Sequence, residues 1–409
     1  MRNINFIVCV KSTVISRSRQ EKRKPNFAMS QRLRLAFEVR RAHAVDAAVR
    51  RALPRPEIQA DTLLLLRLDA IGDYLLFRPF LRLLRESQHT TGKKITLLGN
   101  RLWRELAERW DSPYVDEFLW LDRRRFYEDP GYRYRFQKRL RQRGFETVLN
   151  TSYSRYLLFD DAIVRTCGAP ERLGSQGNTE NTIPKEKKKS DAYYSRLFAA
   201  SPEVMFEFDR HDELFRQWLP DTREAPAFRP PEEFPISRQK PYAVLFPGAS
   251  EAYRCWPVAR FAEVGRWLYE EKGLLLFVAG GPAEQRLGQQ LEALLPEVPL
   301  HNVVGKTNLP TLAQLIAQAE WLVSNETMAP HLAALYRTPT LCLSNGRHRG
   351  RFNPYPPHLS TCVHYVYPPR VREWLASGEP VTEDTFFYAK GEDITAIRSQ
   401  AAIEALQAG

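Results

Sequence analysis

Short apolar runs alternate with amphipathic stretches in two blocks on either side of a proline-dense segment, and that pattern limits the possible folds more than any other feature of the chain. The first block opens with Leu63–Leu66, a tight turn through Asp69-Ala70-Ile71-Gly72 and an apolar-periodic stretch from about Asp73 to Glu86, which reads as strand, turn and helix. Strand-like runs follow at Ile95–Leu98, Phe118–Leu121 and Thr147–Asn150, interleaved with a helical pattern over 133–143. Six prolines then punctuate Pro220 to Pro241, and no regular element is expected to run through them. Beyond them the alternation restarts. Strands are expected at Tyr242–Phe246, Leu274–Ala279, Trp321–Ser324 and Pro339–Leu343. Helices are expected at Val258–Glu271, Ala283–Leu295, Pro310–Ala319 and about Met328 to Tyr336. Strands alternating with helices build covered parallel sheets, so the expected class is α/β, with two open-sheet domains facing a cleft. A length of 409 residues exceeds what one hydrophobic core usually serves. The expected division is residues 1–60 as a basic extension, 61–235 as one domain and 236–409 as the other.

Charge narrows the partners. Of the net +12, residues 1–60 hold +10, with 14 Lys and Arg against 4 Asp and Glu, so the body is nearly neutral. A neutral body lacks the extended phosphate-tracking surface of a nucleic-acid binder, and no nucleic-acid partner is expected. Residues 1–28 read as disordered or untranslated, with Met29 an alternative start, and residues 31–53 as a basic helix. Such a helix either lies on an anionic membrane surface or packs against the body, and both readings stay open. Cys9, Cys167, Cys255, Cys342 and Cys362 are scattered, with no CxxC pair and no His at ligand spacing, so neither a disulfide framework nor a metal site is signalled. The start lacks the long apolar region and cleavage site of a secretory signal, and a cytoplasmic location is expected, peripheral at the inner membrane face if the basic helix binds lipid.

Five segments carry candidate chemistry. In Arg67-Leu68-Asp69-Ala70-Ile71-Gly72-Asp73, Gly72 is read as permitting the turn, and Asp73 arrives at a helix start beside a strand's carboxyl end, where ligands of open sheets gather. Read alone, Asp73 is more simply a helix cap. The loop Pro247-Gly248-Ala249-Ser250, followed by Arg254 and a helix, offers N–H groups, a hydroxyl and a permanent cation, which suits a diphosphate as well as it suits an ordinary connection. Gly280-Gly281-Pro282-Ala283-Glu284 places an acid where ribose hydroxyls could be held, or where it merely favours the helix dipole. Ser324-Asn325-Glu326-Thr327-Met328-Ala329-Pro330-His331 aims the N–H groups of Thr327 to Ala329 at a second anion site, with His331 on the helix behind. Last, Ser344–Pro356 is rich in Arg, Gly and aromatic residues and reads as an anion- or base-embracing loop or a solvated basic one.

Taken in order over about residues 61 to 355, these segments resemble glycosyltransferase family 9, the ADP-heptose:lipopolysaccharide heptosyltransferases. The resemblance rests on Leu64 to Asp73, on Pro247-Gly248-Ala249 with Arg254-Cys255-Trp256-Pro257, on Gly280-Gly281-Pro282, on Val304-Gly305-Lys306-Thr307-Asn308-Leu309, and on Ser324-Asn325-Glu326-Thr327 with His331. It implies the GT-B fold, two Rossmann-like domains, with the acceptor domain first and the nucleotide-sugar (donor) domain second, and inverting transfer without a metal or other cofactor. It implies Asp73 as general base, with Asp69 and Gly72 on the acceptor side. Arg254 falls where a lysine commonly meets donor phosphate, Glu284 near a ribose-binding acid, and Thr327 to Ala329 with His331 at the pyrophosphate loop. Gly248, Ser250, Gly280, Glu326 and Met328 complete the implied donor set. The implied partners are an ADP-heptose-like donor and a lipid-linked or lipopolysaccharide-type glycan acceptor. Two departures stand out: the family's usual Asp-Thr-Gly is Glu326-Thr327-Met328 here, and the loop after Asn345 lies outside the common pattern. The rival expectations are an epimerase or hydrolase of the same architecture, and a degenerate member that only binds a sugar nucleotide or glycan.

Overall fold

The computed structural model describes residues 25–221, 224–231, 241–378 and 391–408, with side chains from Phe37 onward. Of residues 1–28, read from sequence as disordered or untranslated, those before Pro25 lie outside the described residues, as do 232–240 of the proline-dense stretch, while the last four instead begin a helix. The chain packs as two units. The first holds the residues through Ala70, then Phe80–Pro202 and Phe208–Pro226; the second holds Ile71–Pro79, Glu203–Glu207 and everything from Ala227.

The first unit is built on six strands: β1 Gln59–Arg67, β2 Lys94–Asn100, β3 Glu117–Leu121, β4 Phe145–Asn150, β5 Glu171–Ser175 and β6 Arg196–Phe198. They lie in the order β3-β2-β1-β4-β5-β6 with every pair parallel. Leu63 to Leu66 are fully buried, as an interior strand covered on both faces requires. Helix Pro25–Ala52 packs on this unit through Ala42 and Val49 and through a buried ion pair, in which Arg133 of helix Pro130–Gln142 grips both oxygens of Asp46 at 2.6 Å. The basic helix read from the sequence therefore has one face committed to the body.

The second unit repeats the plan: β7 Tyr242–Phe246, β8 Leu275–Val278, β9 Leu300–Asn302, β10 Trp321–Asn325, β11 Thr340–Leu343 and β12 Val363–Val366, ordered β12-β11-β10-β7-β8-β9, all parallel. Both orders are 3-2-1-4-5-6 in their own strands. Each sheet reverses direction of winding beside its first strand, between β1 and β4 and between β7 and β10, and the carboxyl edge at that point is where such sheets bind ligands.

Two sequence expectations are corrected. The helix expected from Asp73 to Glu86 is two helices, Ile71–Phe77 and Pro79–Glu86, because Pro79 has no N–H to continue the ladder. The break falls where the chain passes from the second unit back to the first. Gly72, read as a residue needed for its turn conformation, is helical and does not have a positive φ. What excludes a side chain is space, since a Cβ there would stand 2.7 Å from Cδ2 of His331.

Candidate functional site

At the reversal point of the second sheet, one loop leaves β7 and a shorter one leaves β10. Asn325, at the last position of β10 and fully buried, fastens them: its Nδ2 donates to the Pro247 carbonyl at 2.6 Å, and its Oδ1 accepts the Trp256 N–H at 3.0 Å. Sequence reasoning read Asn325 only as part of a segment. Its amide was not recognised as the clasp, although an Asn ending an apolar strand with no cap to make is the signal that a side-chain amide is in use.

Arg254 ends the turn Ala252–Arg254, and its Nη2 donates to the Glu326 backbone carbonyl and lies 3.3 Å from Glu326 Oε1. The Glu326 carboxylate is buried and shared, since Ser344 Oγ donates to Oε2 and His348 Nδ1 lies 3.4 Å from Oε1. Burial alone would raise its pKa. The hydrogen bond from His348 and the charge of Arg254 outweigh it and hold the carboxyl below its ordinary value, so Glu326 is ionised. Its carboxylate thus acts first on Arg254, which it orients.

Thr327 caps helix Met328–Tyr336, its Oγ1 accepting the Ala329 N–H at 3.3 Å. Of the N–H groups expected to face a ligand, that of Ala329 is therefore bonded within the cap. Met328, half-buried, opens the helix. Three residues on, His331 is buried, its Nδ1 2.7 Å from the Tyr355 hydroxyl, and burial drives its pKa down to about 4, so the ring is neutral near pH 7.

Glu284 stands on the other side of the β7 loop. A Cβ on Gly248 would lie 1.9 Å from its Oε1, and one on Gly280 2.5 Å from its Oε2, so both glycines are there to admit this carboxylate. Its Oε2 accepts the Gly281 N–H at 2.6 Å, and burial raises its pKa against that bond. The Gly305 N–H ties the neighbouring connection to the Gly280 carbonyl at 2.9 Å, while Lys306 donates to the Asn302 carbonyl at 2.8 Å. Ser250 is exposed in the loop. Cys255 is half-buried with its thiol pushed up by burial, which suits packing.

Gly72 and Asp73 sit in this same unit, on helix Ile71–Phe77, which packs against helix Met328–Tyr336 with Gly72 against His331. The helix that carries Asp73 and the helix that follows the Glu326-Thr327 turn are thereby neighbours. Asp69 belongs to the first unit, where its Oδ2 accepts the Ser152 hydroxyl at 3.1 Å and lies 3.5 Å from Arg67 Nε. The one turn of π-helix at Leu157–Asp161 adds a residue the sequence reading missed: Asp160, fully buried, whose carboxyl is raised to about 8 by burial and by the charge of Asp69. Among the described residues, no group of three or more His, Cys, Asp or Glu could hold a metal ion, and no helix is long and apolar enough to cross a membrane.

Comparison with known proteins places this geometry in a family. The model of glycosyltransferase family 9 (heptosyltransferase) matches residues 133–373. Lipooligosaccharide heptosyltransferase 2 of Campylobacter jejuni is 32% identical over 102 residues, 24% of this chain, so the chain spans about a third of that relative's length. The solved ADP-heptose lipopolysaccharide heptosyltransferase II of Escherichia coli shares the fold at a TM-score of 0.60 and 18% identity, over 85% of this chain and 98% of that one. An Escherichia coli heptosyltransferase, WaaC, solved with ADP-2-deoxy-2-fluoro heptose, superposes at 0.62 with 16% identity, over 85% and 99%. The two parallel six-stranded sheets and these neighbours give the chain the two-domain α/β GT-B fold. With a family match over more than half its length, the chain belongs to glycosyltransferase family 9.

Proposed function

We propose that the protein is an inverting glycosyltransferase that moves a heptose-like sugar from a nucleotide-sugar donor to a hydroxyl of a lipid-linked or lipopolysaccharide-type glycan. One observation carries this reading: the helix bearing Asp73 packs on the helix whose first turn is the candidate pyrophosphate loop, with His331 against Gly72. A base and a diphosphate site on adjoining helices are what single displacement at an anomeric carbon requires. In this scheme Asp73 takes the proton of the acceptor hydroxyl as its oxygen attacks the anomeric carbon. The bond to the nucleoside diphosphate breaks on the opposite side, and Arg254 with the N–H groups of the Thr327–Met328 turn receives the departing charge. Glu284 holds ribose hydroxyls, and Asp69 belongs to the acceptor side. No metal is needed for charge stabilisation, because a permanent guanidinium supplies it. The basic residues of the N-terminal segment would hold the enzyme peripherally on an anionic inner membrane face, a reading supported by their charge.

The test is a binding panel of ADP, UDP, GDP and ADP-heptose, followed by transfer to an acceptor glycan, for the wild type and Asp73→Asn. The expected result is selective nucleotide binding by both proteins, wild-type turnover that survives a chelator, and a loss of roughly 10²–10⁴-fold in rate for the variant, the range for removing a general base. Donor consumption without acceptor would replace this reading by the epimerase or hydrolase. Binding with no turnover in either protein would replace it by the binding module that Glu326-Thr327-Met328 suggests.

A further inference from the structure

The loop after β11 carries four basic side chains. Three are engaged by the protein. Arg351 Nε donates to Glu207 Oε2 at 2.8 Å in a buried ion pair, Arg349 lies 5.0 Å over the Trp374 ring, and His348 meets Glu326. Arg347 differs. It is 7% exposed, pairs with no carboxylate among the described residues and gives Nη1 to the hydroxyl of Tyr253, the neighbour of Arg254; its Nε, like that of Arg349, is buried without a partner.

Tyr253 immediately precedes Arg254, so Arg347, Arg254, His348 and Glu326 form one connected group at the carboxyl edge beside β7 and β10. Arg254 Nε is likewise buried without a partner. Burial, against the pull of Glu326, keeps His348 below its ordinary pKa and hence neutral at pH 7. Arg254 is paired with Glu326, whereas Arg347 brings a second, buried guanidinium with no carboxylate partner among the described residues. Such a charge is costly until an anion arrives.

The backbone holds Arg347 in place. Gly346, at φ 83, gives its N–H to Ser344 Oγ at 3.1 Å, and the Arg347 N–H goes to Asn345 Oδ1 at 3.1 Å. Asn353 Nδ2 donates to the Arg347 carbonyl at 3.1 Å, and Asn353 Oδ1 accepts the Tyr367 hydroxyl at 2.9 Å. A rigid loop presenting a planar five-donor fork suits phosphate oxygens.

We propose that Arg347 is a second diphosphate-binding residue, acting with Arg254 on the phosphates of the nucleoside diphosphate. This rests on the donor-site reading above, and it assigns a role to the loop that departs from the family pattern. Calorimetric titration of ADP and of inorganic pyrophosphate into the wild type, Arg347→Gln and Arg349→Gln tests it. Arg347→Gln should weaken both ligands about 10- to 100-fold, the scale of a charged hydrogen bond, and flatten the salt dependence of ADP binding; Arg349→Gln should bind as the wild type. Equal binding by Arg347→Gln and the wild type overturns the inference while leaving the donor site standing. A wild type that binds neither ligand defeats the donor site itself. If Arg347→Gln does not fold, Tyr253→Phe, which removes only the hydroxyl that holds Arg347, gives the same reading: several-fold weaker pyrophosphate binding supports the role, and unchanged binding ends it.

Discussion

Asp160 has a carboxyl that burial and the charge of Asp69 raise to about 8, against the pull of the Tyr156 N–H and Arg123, with Asp161 adding to the rise. In the unfolded chain the same group ionises near 4 (about 3.9). Below about pH 4 both states hold the proton and the residue costs nothing. As pH rises from about 4 to about 8 the unfolded chain releases it first, and stability falls through that window. Asp160→Asn keeps an acceptor for the Tyr156 N–H and removes the ionisation. It should therefore raise the melting temperature by a few degrees at pH 8 and leave it unchanged near pH 4, at roughly 2–4 °C per kcal/mol for a unit of this size. Equal shifts at both pH values would count against burial as the cause. The sequence shows Asp73 through its strand–turn–helix setting, but nothing in Leu157-Leu158-Phe159-Asp160-Asp161 marks one aspartate as buried beside Asp69. The two meet only because the ends of β1 and β4 share one sheet edge. Gly72 teaches the same: its glycine was legible, but the reason for it lies in His331, more than 250 residues away in sequence.

At the scale of elements, helix Pro25–Ala52 is anchored, beside its apolar contacts, by a buried pair whose side chains are 3% exposed at Asp46 and 2% at Arg133. Gln137 Nε2 also donates to Asp46. Asp46→Ala would strand a guanidinium in the interior, and a destabilisation of about 3–5 kcal/mol is expected from breaking such a pair. Denaturant unfolding of the variant checks it, and a change under about 1 kcal/mol would show the helix to be a solvated appendage. The long strands and the helices after β7 were readable to within a few residues because each carries an apolar run with clear limits. β5, β6, β9 and β12 were not: Glu171-Arg172-Leu173-Gly174-Ser175 has a single large apolar residue, and Arg196-Leu197-Phe198, Leu300-His301-Asn302 and Val363-His364-Tyr365-Val366 are too short for a period to show. Pro79 was visible, but its consequence, a break between helices belonging to different units, was not drawn.

On the scale of the whole molecule, the two-block alternation foretold two parallel sheets, and two are present, with one shared strand order that the alternation alone did not give. It did not foretell that the blocks exchange chain, because a segment's partners are invisible to local periodicity. Tyr74 to Phe77 are fully buried within the second unit although only a short turn separates them from β1. Native-state hydrogen exchange should therefore show their amides opening with those of helix Met328–Tyr336, with ADP slowing both sets together. Opening in step with β1 instead would contradict the assignment.

The chain crosses between units five times, at 70, 79, 202, 207 and 226, and only the last crossing borders the proline-dense segment. This has a consequence for shuffling genes within the family. A hybrid joined at residue 226 would inherit its Asp73 helix and its Glu207 from one parent, and its His331 and Arg351 from the other. Each hybrid would be forced to fit a glycine to a foreign histidine and a glutamate to a foreign arginine, so working hybrids must carry 71–79 and 203–207 along with the C-terminal half.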